Sequence, residues 1–331
     1  MPSWGEIGAE ILQQAQQPSG AGDPRDIVRR KYLAALHAYT GNAVVLYATR
    51  WTMPANGVQG SPFSTSITFG DIHAFMEALY GVTESNLDLI IHSPGGSPEA
   101  AQATVKYLRS KFSHIRVFVP HMAMSAATMI ACAADEIIMG KHSFIGPIDP
   151  QIQLQTPLGA RLVPAQAIVD QFEQAVSECQ DLSKQRAWIP MLTMYGPELL
   201  VTCNNAIKLS QELVSAWLEN YMFKGNKDAT SKANGIAKWL GDHNTFKTHG
   251  HPISQDEARK NGLNVKNLEC DKKLQDLVLS IYHAAAHTFA QVPVCTKVVE
   301  NHRGKTFMEN VMPPMAPFSL IPLPVVPKGS A

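Results

Sequence analysis

The stretch LDLIIHSPGGSPEAA, Leu87–Ala101, predicts a buried strand that breaks at a Pro-Gly-Gly turn and continues as a helix. A second stretch, VFVPHMAMSAATMIACAADEIIMG at Val117–Gly140, has the same plan, because a buried strand bends into a helix that follows Ser125. Both turns come at the carboxyl ends of strands, where open α/β sheets carry their sites. We therefore expect these two turns to carry the functional residues of the protein.

The pattern around the two turns predicts an α/β fold. Apolar strands at 43–51, 87–92, 115–120 and 136–139 are separated by helical patterns at 71–80, 98–112 and 125–134. Short apolar strands that alternate with helices of this length are typical of parallel βαβ units, in which helices cover a sheet. We expect repeated β-α units with an additional helical region after them.

The remaining segments predict a division of the chain into four parts. Residues 1–30 form an amphipathic arm and a linker, and residues 31–265 form the main domain, with a helical insertion at about 164–240. A C-terminal helix is expected within 266–310. The Pro-rich tail 311–331 is not expected to fold alone.

The composition excludes several classes of function. Lys+Arg and Asp+Glu both number 28, so the chain lacks the basic excess that nucleic-acid binding requires. Five scattered cysteines without a CxxC pair indicate reduced thiols in a cytoplasmic protein. No apolar run reaches the length of about 20 residues that a membrane span needs. No Walker A motif, metal-ligand pattern or cofactor fingerprint is apparent, so we expect no cofactor.

The residues of the two turns suggest an acyl-transfer site. Glycines let the backbone approach a ligand closely, so Gly95 and Gly96 could direct N–H groups at an oxyanion. Ser125 lies between small residues at a helix start, where its hydroxyl would be accessible as a nucleophile. Taken singly, the glycines could equally form a tight turn, and Ser125 could be an ordinary N-cap.

The order of the motifs resembles a known family. SPGG, then a helix, a strand and MSAAT, followed by GPIDPQ and by GHPISQDEARKNGLNV, is similar to the serine dehydrogenase proteinase family over about residues 43–265. That family lies in the Clp protease and signal-peptide-peptidase superfamily, which has the crotonase-like fold. The resemblance implies a serine endopeptidase with Ser125 as nucleophile and an oxyanion hole at Gly95 and Gly96. It also implies a homo-oligomer acting on peptide or protein substrates.

The general base is not identified by the sequence. Where the Clp protease has its catalytic histidine, this chain has Pro147, and no lysine stands at the helix start that signal peptide peptidases use. A serine hydroxyl still needs a base, because it is a weak nucleophile at neutral pH. The candidates are, in first place, Lys184 and His251, and after them Lys208, His249 and His142.

Alternative functions remain open at this point. Asp149 in GPIDPQ could orient a base or a neighbouring loop, or it could simply be a turn aspartate. A crotonase-type acyl-CoA enzyme would use the same oxyanion turn without Ser125 as nucleophile. A non-catalytic assembly protein would keep the fold and lack a base.

Overall fold

A computed structural model of the chain describes residues 2–17, 22–53, 62–156 and 159–311. Its α-helices are α1 (Trp4–Ala15), α2 (Pro24–Thr40), α3 (Asp71–Ala78), α4 (Pro98–Lys111), α5 (Ala126–Cys132), α6 (Ala165–Glu178), α7 (Leu182–Leu192), α8 (Leu199–Trp217), α9 (Ala229–Leu240), α10 (His243–Phe246), α11 (Gln255–Lys260) and α12 (Lys272–Gln291). Its strands are β1 (Ala43–Thr49), β2 (Asn86–His92), β3 (His114–Val119), β4 (Met122–Ala123), β5 (Glu136–Met139), β6 (Phe144–Ile145), β7 (Gln151–Thr156), β8 (Gly159–Pro164), β9 (Ile253–Ser254), β10 (Val265–Asn267), β11 (Cys295–Asn301) and β12 (Thr306–Asn310).

A seven-stranded sheet in the order β10-β5-β3-β2-β1-β11-β12 forms the centre of the fold. The pairs from β10 to β1 are parallel, whereas β11 is antiparallel to both β1 and β12. The predicted α/β class with parallel β-α units is thereby confirmed, and the sheet as a whole is mixed. The carboxyl ends of β2 and β3 lie side by side, which brings the two turns to one edge.

Helices cover both faces of the sheet because successive side chains of each strand point to opposite faces. On one face, Leu89 and Ile91 of β2 pack in a core with residues of α3, α4, α5, α8 and α9. On the other face, Ile90 of β2 packs with residues of α2 and α12. The strands read as continuous apolar runs in the sequence for this reason, since both of their faces are buried.

The C-terminal segment 266–310 contains the helix that the sequence predicts there and two strands that it does not predict. Helix α12 is present, but it is followed by β11 and β12, and β11 lies inside the sheet beside β1. The sequence pattern does not predict β11, because this strand carries two charged residues, Lys297 and Glu300. Both are wholly buried in the structure. Each charge has an oppositely charged partner inside the fold, which makes its burial tolerable.

The helical region begins with a hairpin of β7 and β8 and continues through α6 to α9. Within it, α7 ends at Leu192 and α8 begins at Leu199, because Gly196 and Pro197 between them interrupt the helical pattern. Part of this region has a small apolar cluster of its own, around Ala165, Ile168 and Cys203.

Some predicted features lie outside the described residues. These are most of the Pro-rich tail, at 312–331, part of the linker, at 18–21, and part of the loop after β1, at 54–61. Across the residues that are described, no helix combines the length and the apolar character that crossing a membrane would require.

Candidate active site

The two turns are joined by backbone hydrogen bonds beyond the ends of β2 and β3. The Ser93 N–H donates to the Met122 carbonyl at 3.1 Å, and the Met124 N–H donates to the Ser93 carbonyl at 3.0 Å. Ser93 precedes the Pro-Gly-Gly turn, and Met124 precedes Ser125. This pairing holds the glycine turn beside the serine turn without any side chain.

Ser125 occupies an unusual backbone conformation at the start of α5. Its φ of 52° and ψ of −120° lie in a region of backbone angles that residues other than glycine rarely adopt. Its hydroxyl caps no helix N–H, and no hydrogen-bond partner for it occurs among the described residues. The side chain is partly exposed, whereas Met124 and Ala126 on either side are buried. Strain of this kind persists only where the surroundings impose it, and it is frequent at active sites.

Gly95 makes the close approach of the two turns possible. Its φ is +100°, and a Cβ there would lie 2.6 Å from the Met124 carbonyl oxygen and 2.7 Å from Ser125 Cβ. The Gly95 N–H, one of the two predicted oxyanion donors, donates to Ser93 Oγ at 3.2 Å in this structure. The absence of a side chain at Gly95 therefore lets the glycine turn lie against Ser125. The Gly95 N–H itself already donates to Ser93 and is not free to donate to a ligand.

Gly96 and Ala126 have the N–H groups that are left to face a ligand. The Ile67 N–H donates to the Gly95 carbonyl at 2.7 Å. In a trans peptide the N–H points opposite to the carbonyl, so the Gly96 N–H is directed away from Ile67. It finds no acceptor within the described part of the chain. Ala126 is the first residue of α5, where a helix has no acceptor for its own N–H groups.

The segment after β6 is anchored to the serine turn. Thr128 of α5 donates to the Ala123 carbonyl at 2.8 Å and accepts from the Gly146 N–H at 3.0 Å. A Cβ at Gly146 would lie 2.5 Å from Cε of the Met124 side chain, so Gly146 packs against the residue before Ser125. Pro147 follows directly and has no ionisable group, so a base must come from elsewhere.

Three residues beyond Gly146, the buried carboxylate of Asp149 contacts two histidines. Its two oxygens lie 2.7 Å from His249 Nδ1 and 3.1 Å from His243 Nδ1. Sequence reasoning named Asp149 and His249 but missed His243, whose only signal is its position six residues before His249. A histidine that donates from Nδ1 to a carboxylate keeps Nε2 as a proton acceptor, which is the arrangement of a general base.

The other candidate bases have different surroundings. His251 Nε2 lies 3.7 Å from Glu257, and its ring packs on Phe246 with centroids 5.1 Å apart. His142 Nε2 lies 3.1 Å from the Pro120 carbonyl. Lys184 is exposed on α7, with its Nζ 4.0 Å from Glu178, and Lys208 is exposed on α8. Among the described residues, no hydrogen bond joins any candidate base, His249 included, to Ser125.

Two further histidines lie directly before the turns but face the α12 side of the sheet. His92, at the end of β2, contacts the Met122 carbonyl and Thr52, and its ring stacks on His121. Burial, together with the nearby His121, lowers the pKa of His92 to about 3. A group that weakly basic stays neutral at physiological pH and is unsuited to accept the serine proton.

Within the part of the chain that the structure describes, one group of side chains has ligand atoms close enough to hold a metal, namely His37, Glu84 and His302. His302 Nδ1 accepts from the Val44 N–H at 3.2 Å, so a neutral His302 carries its proton on Nε2. That nitrogen lies 3.3 Å from Glu84 without a hydrogen bond to it, and in this tautomer it has no lone pair for a metal. The geometry favours a histidine–carboxylate contact over a metal centre.

Replacing Gly95 by alanine is expected to separate the two turns. The added Cβ would overlap the Met124 carbonyl and Ser125 Cβ, so the backbone must move at the serine. Loss of aligned oxyanion donors costs about 100- to 1000-fold in rate, and we expect a decrease of at least about 100-fold in kcat for peptide hydrolysis. Gly235→Ala is the matched control, because a Cβ there meets open space and the φ is ordinary. Equal rates for the two variants would contradict this role of Gly95.

Comparison with known proteins adds a family match to this geometry. The sequence profile of a family described as ClpP-like SDH-type serine proteinase matches residues 23–305, a range that includes both turns. Uncharacterized protein MJ0137 of Methanocaldococcus jannaschii is 30% identical over 242 residues, which are 72% of this chain and 73% of that protein. Uncharacterized protein MJ1495 of the same organism is 30% identical over 223 residues, 66% of this chain and 65% of that protein.

Two solved structures of the 1510-N membrane-bound stomatin-specific protease are also similar. One is a serine-to-alanine mutant, with a TM-score of 0.36 and 16% identity, covering 60% of this chain and 74% of that chain. The other is a lysine-to-alanine mutant in complex with a substrate peptide, with a TM-score of 0.37 and 16% identity. It covers 60% of this chain and 70% of that chain.

Proposed function

Because the chain belongs to the family of ClpP-like SDH-type serine proteinases, we propose that it is an endopeptidase that cleaves peptides or unfolded protein. The observation that carries the proposal is the conformation of Ser125, strained at φ 52° and without a hydrogen-bond partner among the described residues. The N–H groups of Gly96 and Ala126 lie at the two turns that meet at this hydroxyl. Nucleophile and oxyanion donors are the two parts that acyl transfer requires first.

The reaction would proceed through an acyl-enzyme. A base takes the proton of Ser125 Oγ as the oxygen attacks the carbonyl carbon of a peptide bond. The carbonyl electrons move onto oxygen, where the N–H groups of Gly96 and Ala126 donate to the developing charge. The C–N bond then breaks, and the protonated base gives its proton to the leaving amine. Water, deprotonated by the same base, repeats the attack on the ester and releases Ser125.

We assign the base to His249, oriented by Asp149. The short contact between His249 Nδ1 and the buried carboxylate supports this role, because such a carboxylate stabilises the imidazolium that forms during attack. His249 is also the more exposed of the two histidines on Asp149, at 27% against 14% for His243. Asp149 is three residues from Gly146, whose N–H is held by Thr128 of α5, so the segment that carries Asp149 is anchored to the helix that follows Ser125.

Substitution of the histidines tests this assignment. General base catalysis contributes about 100- to 10,000-fold, so His249→Asn should lower kcat for hydrolysis of an unfolded protein by at least about 100-fold. His243→Asn is the matched control, because it removes a partner of the same carboxylate and should leave most of the activity. Full activity of His249→Asn, or a comparable loss in His251→Asn or Lys184→Ala, would assign the base elsewhere. Mass spectrometry of the products distinguishes internal cleavage from trimming of chain ends.

We also propose that the active form is a homo-oligomer. Exposed apolar side chains occur along the hairpin and helices from β8 to α8, and large exposed apolar groups in a stretch of this kind favour an interface. They are Leu162, Val176, Leu182, Ile189, Met191, Met194 and Val201. Light scattering on the wild type and on a variant with Leu182 and Ile189 replaced by serine would show whether this face joins copies.

A further inference from the structure

Thr128 of α5 is wholly buried one turn after Ser125, and no step of the proposed reaction uses it. Its hydroxyl donates to the Ala123 carbonyl at 2.8 Å and accepts from the Gly146 N–H at 3.0 Å. A threonine in a helix usually donates to a carbonyl three or four residues earlier in that helix. Thr128 instead reaches five residues back, to a carbonyl of β4 outside the helix. One hydroxyl thus joins three segments of the chain.

This hydroxyl stands at the end of the ladder of hydrogen bonds between β4 and β6. The two strands are parallel, and the Phe144 N–H of β6 donates directly to the His121 carbonyl at 2.8 Å. Because the bonds of a parallel ladder repeat every two residues, the next pair would be the Gly146 N–H and the Ala123 carbonyl. Those are the two groups that bond to Thr128 Oγ1, so the hydroxyl takes the place of one step of the ladder.

The strands β4 and β6 lead to the two halves of the proposed site. Strand β4 ends two residues before Ser125, whereas β6 continues through Gly146 to Asp149. On its other side β6 pairs with β9, which begins four residues after His249. The separation of β4 and β6 at their ends therefore determines how far the carboxylate and its histidine lie from the nucleophile. Thr128 sets that separation at the last step.

Removing this hydroxyl would leave two buried backbone groups unpaired. Ala123 and Gly146 are both buried, so water does not readily take over their hydrogen bonds. Pairing of β6 with β9 opposes a movement of the end of β6 towards β4. Loss of the hydroxyl therefore leaves the Gly146 N–H without its acceptor, and the segment that follows loses its link to α5.

From this arrangement we infer that Thr128 is a positioning residue, which holds the segment carrying Asp149 in register with the serine turn. The inference rests on the proposed peptidase function. The hydroxyl of Thr128 is directed at two backbone groups and not at a substrate. It acts on the reaction through the distance between the nucleophile and the base.

Thr128→Val tests the inference, because valine keeps the shape of the side chain and removes the hydroxyl. A misplacement of about 1 Å can cost about 100-fold in rate, so we expect kcat for hydrolysis of an unfolded protein to fall about 10- to 100-fold. KM should change little, since the groups that bind substrate remain. Thr128→Ser keeps the hydroxyl and should retain most of the rate.

Thr104→Val is the matched control for this substitution. Thr104 of α4 is also wholly buried, but its hydroxyl has no hydrogen-bond partner in the part of the chain that the structure describes. We expect its kcat to equal that of the wild type. An equal loss in Thr104→Val and Thr128→Val would mean that the rate responds to any change in this core, which would contradict a specific role of Thr128.

A double variant tests whether Thr128 acts through the base. Thr128→Val combined with His249→Asn should be no slower than His249→Asn alone, because a residue that positions the base has no effect once the base is removed. A merely structural residue would reduce the rate of both backgrounds by the same factor. A further loss of about 10-fold or more in the double variant would therefore overturn the inference.

Hydrogen exchange separates failure of this inference from failure of the proposed function. In Thr128→Val the Gly146 amide should exchange at least about tenfold faster than in the wild type, whereas Thr128→Ser and Thr104→Val should leave it unchanged. Unchanged exchange of the β2 amides would show that the fold persists. This readout needs no activity, so it decides on the link even if the protein cleaves nothing. Wild-type exchange at Gly146 in Thr128→Val, or a wild-type kcat of that variant in an active protein, would overturn the inference.

Discussion

Ser125→Ala is expected to lower kcat for peptide hydrolysis by at least about a thousand-fold while KM changes little. The reason is that the covalent route disappears with Oγ, whereas the groups that bind substrate remain. Only the residual effect of the oxyanion donors would persist. Initial rates on a fluorogenic peptide and on an unfolded protein measure the change.

The strained backbone of Ser125 provides a control for this variant. Ser125→Gly also lacks the nucleophile, but glycine adopts a φ near 52° with little strain. We expect it to be as inactive as Ser125→Ala and more stable than it by up to about 1 kcal/mol. Turnover of peptides or of acyl-CoA thioesters by Ser125→Ala at the wild-type rate would contradict a nucleophilic role. In the thioester case it would favour a crotonase-type reaction.

Glu300→Ala is expected to lower the free energy of unfolding by about 3–5 kcal/mol. Glu300 is wholly buried in β11 and pairs with Arg29 and Arg30 of α2. Arg29, equally buried, also contacts Asp26 at 2.7 Å and Thr288 of α12 at 2.9 Å. Removing Glu300 leaves the guanidinium of Arg29 without its main counter-charge, and uncompensated buried charge is costly. Urea denaturation followed by circular dichroism measures the loss.

Two comparisons make the Glu300 prediction specific. Asp228→Ala breaks an exposed pair with Lys232 at 3.2 Å and should cost less than about 1 kcal/mol. Replacing Arg29 by Met and Glu300 by Leu together should recover much of the loss, since apolar residues of similar volume can replace a buried ion pair. A loss below about 1 kcal/mol for Glu300→Ala would show that the pair does not hold α2 to the sheet.

The fold could be predicted from the sequence where the local pattern of apolar and polar residues matches the secondary structure. The strands β2, β3 and β5 are short apolar runs between helices, and Ser97 with Pro98 gives a clear start for α4. Strand β11 was not predictable in this way, because Lys297 and Glu300 look like surface residues until their partners are known. Those partners, Asp71 and Arg29, are more than 200 residues away in sequence, so no local pattern reveals the pairing.

The candidate site was predictable to a similar extent. Glycines and a serine at two strand ends indicate close backbone approach, and the backbone angles of Gly95 and Ser125 agree with that expectation. The partners of Asp149 could not be predicted from the sequence. An aspartate between two prolines gives the same local sequence pattern whether its carboxylate contacts a histidine or caps a turn.

A fluorophosphonate probe, which modifies activated serine nucleophiles, would identify the nucleophile of this protein if the modified residue is located. The wild type would be incubated with the probe and digested, and the modified peptide would be sequenced by mass spectrometry. We expect a single phosphonylated serine at Ser125, with no labelling of Ser125→Ala and slower labelling of Gly95→Ala. Labelling at another serine, or equal labelling of the wild type and Ser125→Ala, would contradict it.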